Sequence, residues 1–280
     1  MTRLLLSKIR IHPIFWLVIA AGTLTGHLWE TVIAFVIVLI HELGHAFAAH
    51  WFGWEVTEIE LLPFGGVAKL DEHEEHPFHE ECLVLIAGPL QNIWLPLLSY
   101  GFMAFPFWGA AQHQIFLSQN SALLLFNLLP IWPLDGGRLM HVLLEVVYPF
   151  KQAYKRALYF SIAALLAFST LALWHYPFSA NLWIIISFIL FAIYKERRLL
   201  PLRFLRFLLT LSSTKKRYAR SKNLSVPKEA SLTDVFSMFY KNAEHHIHIR
   251  GAKKPDIDGK SLTAAYFKGQ CKGNNISDYQ

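Results

Sequence analysis

Apolar and polar positions are segregated along this chain rather than interleaved. Over about the first 200 residues, long apolar runs alternate with short charged stretches, and the chain turns polar after Arg206. Six apolar segments can be drawn, at about 12–24, 29–52, 81–104, 117–147, 158–175 and 181–198. A helix needs roughly 20 mostly apolar residues to cross about 30 Å of hydrocarbon, and most of these runs approach or exceed that length; the first is short. With no water in the hydrocarbon to satisfy backbone groups, such runs are read as helices. The pattern predicts a polytopic α-helical membrane protein of about six transmembrane helices.

Charge then sets an orientation. Arg3, Lys8 and Arg10 precede the first segment, Lys151, Lys155 and Arg156 lie between the fourth and fifth, and Lys195, Arg197, Arg198, Arg203 and Arg206 follow the sixth. The positive-inside bias puts all three clusters on the cytosolic side, together with both termini and the loop from about 53 to 80. The net charge of +6 therefore belongs to membrane flanks and predicts no direct nucleic-acid binding. The lipid bilayer is the expected partner of a chain that is 54% hydrophobic and 16% charged. The first segment is read as a retained helix, because it lacks a small-residue cleavage site. Cys82 and Cys271 carry no sign of a disulfide framework or of an activated thiolate.

The second segment interrupts its apolar run with His41-Glu42-Leu-Gly-His45. Residues at i and i+4 share a helical face, so two imidazoles can bind one Zn²⁺ while the intervening Glu reaches the metal-activated water. A carboxylate at membrane depth costs about 2.5–3.5 kcal/mol on insertion scales, so Glu42 must face protein, water or metal. A third protein ligand is offered by Asn127-Leu-Leu-Pro130-Ile-Trp-Pro133-Leu-Asp135-Gly136-Gly137. Two prolines remove backbone donors there and two glycines permit unusual backbone angles, so Asp135 can be presented at a helix break. The alternative for Asp135 is a structural ion pair with Arg138, which leaves His41, Glu42 and His45 unexplained.

These segments resemble the site-2 proteases, intramembrane zinc metalloproteases with a His-Glu-x-x-His helix and an Asn-x-x-Pro-x-x-x-Leu-Asp-Gly segment. Here the latter reads Asn127, Pro130, Leu134, Asp135, Gly136, and Pro63-Phe64-Gly65-Gly66 and Ala87-Gly88-Pro89-Leu90-Gln91-Asn92 also look like the family, in matching order. The resemblance implies His41, His45 and Asp135 as zinc ligands and Glu42 as general base. It places Asn127 and Pro133 among substrate-positioning residues, with Asn127 as oxyanion stabiliser. The likeness runs over about residues 1–200 and extends to sporulation-type members. These imply the pro-sequence of a sporulation sigma factor, pro-sigma-K, as substrate, membrane inhibitor or regulatory proteins as partners, and the mother-cell membrane around the forespore as location.

The stretch Thr57–Lys69 alternates enough for an extended hairpin dipping toward the membrane. Pro63, Phe64, Gly65 and Gly66 are then candidates for an element that holds substrate as an added strand. A tight turn with no substrate contact is the competing reading. His73, His76 and His79 sit in a broken, acidic stretch read as a solvated loop, with Glu80 and Glu81 suited to the start of the third helix. His245, His246 and His248 alternate with isoleucine and read as the two faces of a strand.

Residues 201–223 read as a basic linker and 224–280 as a small α/β unit: a helix opened by Ser231, then a strand at His246–Ile249. That order resembles a single cystathionine-β-synthase-type domain, which implies adenine-nucleotide sensing, ATP above all, and a homo-oligomer, since one such domain needs a partner copy. A plain docking module is the other reading. The whole is thus read as a zinc endopeptidase core at 1–200 that cleaves a membrane-associated pro-protein near the cytosolic face. A zinc transporter or metal sensor, or a silent client-binding homologue, stays open.

Overall fold

The computed structural model of the protein describes residues 9–11, 13–62, 65–70, 76–213, 218, 220–250, 256–270, 273, 275 and 276. It is mostly helical. In chain order the elements are β1 (Ile9–Ile11), α1 (Pro13–Leu24), α2 (Leu28–Trp51), β2 (Val56–Leu62), β3 (Gly65–Leu70), α3 (Phe78–Phe102), α4 (Ala110–Asn127), α5 (Asp135–Val147), α6 (Phe150–His175), α7 (Ala180–Ser213), β4 (Ser221–Val226), α8 (Leu232–Ser237), β5 (Glu244–Ile249), β6 (Ile257–Asp258) and α9 (Gly259–Phe267). Among the described residues, α2, α3 and α6 are long and apolar enough to cross a membrane. The chain divides into two compact units, one of Met1–Glu72, Phe78–Leu129 and Leu134–Gly136, the other of His73–Pro77, Pro130–Pro133 and Gly137–Gln280.

In the first unit, α2 buries a stripe of every fourth residue: Ile33, Ile37, His41, His45 and Ala49. The upper part joins Leu95 of α3 and Phe116 of α4 in one apolar cluster, the lower part joins Trp54 and Val84 in another, and the two histidines fall between. The helices approach closely there, since a Cβ on Gly44 would lie 2.6 Å from the Ala87 carbonyl oxygen. Small residues at such crossings are how membrane helices gain contact without a hydrophobic drive between them. Large apolar side chains such as Leu17, Leu97, Tyr100 and Leu125 face outward instead, the inverse of a water-soluble protein.

The expected hairpin is present. Strands β2 and β3 pair antiparallel, with Leu62 opposite Gly65, while Pro63 and Phe64 lie outside the described residues. Strand β1 adds parallel to β2, Ile9 opposite Ile59, which places β3 at the sheet edge. A three-residue strand beside a basic cluster gives no periodic signal, so hydropathy could not announce β1.

In the second unit, α6 starts at Phe150, eight residues before the apolar segment drawn from hydropathy, so Lys151, Lys155 and Arg156 are helical. Two of these charges find rings: the Arg156 guanidinium is 3.6 Å from the Tyr148 ring centre and the Lys151 ammonium 5.4 Å from that of Phe204. Helix α7 likewise continues past the apolar run to Ser213, through Pro201, so the stretch from 201 begins as helix. The Ser161 hydroxyl of α6 accepts the Trp132 N–H at 3.0 Å, anchoring the Pro130–Pro133 segment.

The C-terminal part of this unit has β4 parallel to β5 and β5 antiparallel to β6, in the order β-α-β-β-α. Ser231 caps α8 by accepting the Thr233 N–H, as its residue type predicts, although α8 is only six residues long. Val226, Val235, Phe236, Phe239, Ile247, Leu262 and Ile276 fill the core. The three histidines near 246 do lie in β5, with His245 buried.

Candidate metal centre

The fourth-residue stripe of α2 delivers His41 and His45 to one point, their rings edge to face with centroids 4.9 Å apart. Asp135, the first residue of α5, brings a carboxylate to the same point. Its Oδ2 lies 3.0 Å from His41 Nε2 and 3.3 Å from His45 Nε2, and the two Nε2 atoms are 3.2 Å apart. Asp135 therefore faces the histidine pair, while the Arg138 guanidinium sits 6.0 Å from the Trp132 ring centre.

The remaining ring nitrogens fix what these atoms are. His45 Nδ1 lies 2.8 Å from the backbone carbonyl of Val84, which can only accept, so Nδ1 carries the proton. His41 Nδ1 donates to Asn92 Oδ1 at 2.9 Å. In the neutral imidazoles both Nε2 atoms are thereby left as acceptors, and Asp135 adds a third. Three lone pairs converging at 3.0–3.3 Å, two of them on buried rings, repel unless a cation stands among them. Tetrahedral Zn²⁺ with bonds of about 2.0–2.1 Å separates its ligand atoms by about 3.3 Å, so the donor set fits zinc in type and in spacing. Among the described residues this is the cluster of three or more His, Cys, Asp or Glu side chains able to hold a metal ion.

Glycines clear the space. A Cβ on Gly88 would fall 2.1 Å from His45 Nε2, and one on Gly136 would fall 2.4 Å from the Leu128 carbonyl oxygen. Unusual backbone angles, expected of Gly136 and Gly137 from sequence, are not their contribution: among the described residues the left-handed glycines are Gly26, Gly53 and Gly269, and close approach is what the pair supplies. Asn127, at the end of α4, brings its amide Nδ2 to 3.3 Å from His41 Nε2. Glu42 is half-buried on α2, one residue beyond His41 and so about 100° round the helix. Pro133 lies two residues before Asp135, in the interval between α4 and α5, and Gly65 and Gly66 open β3 opposite Leu62 and Leu61.

Asn92 escapes sequence reasoning, which sees it only as the end of a family-like stretch, yet it is 1% exposed and holds His41. The signal available for it is an amide inside an apolar transmembrane run, where a polar group needs a partner.

Residues 30–116 and 107–169 match peptidase family M50. The chain is 35% identical over 277 residues to stage IV sporulation protein FB of Bacillus subtilis (strain 168), covering 98% of this chain and 96% of that protein. It is 34% identical over 129 residues to zinc metalloprotease MJ0392 of Methanocaldococcus jannaschii, covering 45% and 37% respectively. The solved structure of the site-2 protease from Methanocaldococcus jannaschii is similar, with a TM-score of 0.50 and 25% identity over 67% of this chain and 89% of that one.

Proposed function

The chain belongs to peptidase family M50 and is a metalloendopeptidase of the site-2 type, and from that premise we propose that it cleaves a membrane-associated pro-protein close to the cytosolic face. The substrate we propose is the pro-sequence of a sporulation sigma factor, pro-sigma-K. The near full-length likeness to stage IV sporulation protein FB supports this reading. His41, His45 and Asp135 are the zinc ligands and Glu42 the general base. The observation that carries this assignment is the convergence of three acceptor atoms at zinc-ligand spacing, one residue from a carboxylate.

Zinc held by these side chains would lower the pKa of a bound water toward about 7 and polarise the scissile carbonyl. Glu42 takes the proton of the attacking water and delivers it to the leaving amine, one carboxylate serving both directions. Asn127, whose amide already points at the site, donates to the developing oxyanion without adding charge. Val84 and Asn92 hold the two imidazoles in the tautomer that ligates.

Peptide bonds in a transmembrane helix are shielded, so the substrate must be unwound. The edge strand β3 offers backbone groups to an extended peptide, with Gly65 and Gly66 at its start and Pro63, Phe64 and Pro133 among the positioning residues. About six transmembrane helices, cytosolic termini and residence in the mother-cell membrane complete the reading, together with membrane inhibitor proteins as regulators. The β-α-β-β-α order after Ser221 supports a cystathionine-β-synthase-type domain, with ATP as the ligand such a domain implies and self-association through it.

The test compares wild type with Glu42→Gln for zinc content and for cleavage of a pro-sigma-K precursor in detergent or vesicles. One zinc per chain in both, with cleavage by wild type only, is expected. Equal cleavage by Glu42→Gln would overturn the role of Glu42. Zinc with no cleavage in either would turn the reading toward another client or toward metal transport.

A further inference from the structure

Helix α3 contains two prolines, Pro89 and Pro96. A proline has no N–H, so it removes the helical hydrogen bond to the carbonyl four residues earlier. For Pro96 that carbonyl belongs to Asn92, the residue whose side chain holds His41. The vacated acceptor does not go unmet: the side-chain amide of Asn120, on α4, donates to the Asn92 carbonyl at 2.8 Å. Asn92 and Asn120 are 1% and 2% exposed, so water cannot substitute for either. A polar group left unpaired at such depth carries its full desolvation penalty, which makes this replacement bond a constraint on where Asn92 sits.

Helix α4 thus reaches His41 from two sides. Asn120 and Asn127 are seven residues apart and share a helical face. Asn127 approaches His41 Nε2 directly at 3.3 Å, and Asn120 reaches His41 Nδ1 through Asn92. We infer that Pro96, Asn120 and Asn92 form a positioning relay, in which the proline frees a backbone carbonyl so that a second helix can lock the residue that orients the His41 ligand. The relay rests on the reading of His41, His45 and Asp135 as zinc ligands. None of its three members touches substrate; they are positioning residues.

The device makes an unusual demand that packing alone does not make. Asn120→Leu keeps the volume and removes the donor, so zinc affinity falls about 10–100-fold, the range seen when outer partners of a ligating histidine are lost. Adding Pro96→Ala returns an N–H to the helix, and that N–H can donate to the Asn92 carbonyl in place of Asn120. The double variant P96A/N120L therefore recovers zinc affinity to within about threefold of wild type.

The full-length protein in detergent is titrated with zinc against a chromophoric chelator, and the visible spectrum of the Co²⁺-loaded protein reports ligand geometry independently of cleavage. Loss in N120L with recovery in P96A/N120L supports the relay. N120L binding zinc like wild type, or a loss that Pro96→Ala fails to recover in a folded protein, overturns it. If N120L does not accumulate, Asn120→Ala with and without Pro96→Ala gives the same comparison. A wild type that binds no zinc would instead overturn the ligand assignment on which the relay depends.

Discussion

Two clusters of polar side chains invite comparison: buried His41 and His45 with half-buried Asp135 in the first unit, and buried Glu145, Glu196 and Tyr154 with half-buried Lys241, Arg203 and His141 in the second. The second cluster is charge-matched from within. Lys241 Nζ lies 3.1 Å from Glu145 Oε2, Arg203 pairs with Glu196, and the Tyr154 hydroxyl donates to Glu196 as well. His141 sits 3.5 Å from Glu145. Each carboxylate has its cation from the chain. In the first cluster three acceptors meet, and the ring N–H groups are turned away from them, donating to the Val84 carbonyl and to Asn92 Oδ1 on the far sides of the rings. Burial alone does not separate architecture from chemistry, since both clusters mix buried and half-buried side chains. The sign of the groups does, because a cluster that lacks its own counter-charge is suited to a cation from outside.

Asp135→Asn should break the comparison most completely. Asp135 is the anionic member of the proposed ligand set, so zinc content and cleavage should fall together, cleavage to background. Zinc content measured on the purified variant checks the cause. In the second cluster the response should have a different form. Lys241→Met strands Glu145 at 1% exposure and should destabilise the fold by about 3–5 kcal/mol, whereas Glu145→Met with Lys241→Met should be near neutral. Chemical denaturation of the three proteins decides it, and a double variant as unstable as the single would show that the pair is not self-contained.

A third outcome concerns a histidine that no metal needs. His245 stacks on Phe239 at 4.3 Å and accepts the Tyr240 N–H at 2.8 Å, and burial pushes its pKa down to about 4. As pH falls from about 6.5 toward 4, the unfolded chain takes up a proton that the folded one refuses, so stability is lost on acidification, up to about 3 kcal/mol. Hydrogen exchange over β5 should quicken in that window, and His245→Phe should flatten the dependence. The smallest effect is expected at Gly88→Ala, where a methyl 2.1 Å from His45 Nε2 must displace the ring. Overpacking of this kind costs about 1–3 kcal/mol, and here it should show as weakened zinc binding with the fold retained.

Much of the candidate metal centre is legible in the residues. The stripe at 33, 37, 41, 45 and 49 runs at helical spacing, so the apolar positions themselves aim both histidines inward. Asp135 is legible because prolines and glycines flanking a carboxylate in an apolar run mark a helix break built to present it. Asn120 is not, since which carbonyl its amide serves depends on a proline on another helix and leaves no periodic trace, and Asn92 shows only as an amide in an apolar run, with nothing to say that it meets His41. The start of α6 is hidden by a different cause: cations whose stems lie on a helix look like loop to a hydropathy window.

The backbone carbonyl of Phe239 accepts the N–H of Phe150, the first residue of α6, at 2.9 Å, and the Arg220 guanidinium donates to the Val146 carbonyl at the end of α5 at 2.8 Å. The tail thus supplies end groups to two helices of the core. A chain shortened before Arg220 would lose both of these along with Lys241, so inactivity in such a truncation would not report on nucleotide sensing. Separating those meanings calls for point changes on the sheet β4–β5–β6 that leave residues 220 and 239–241 in place.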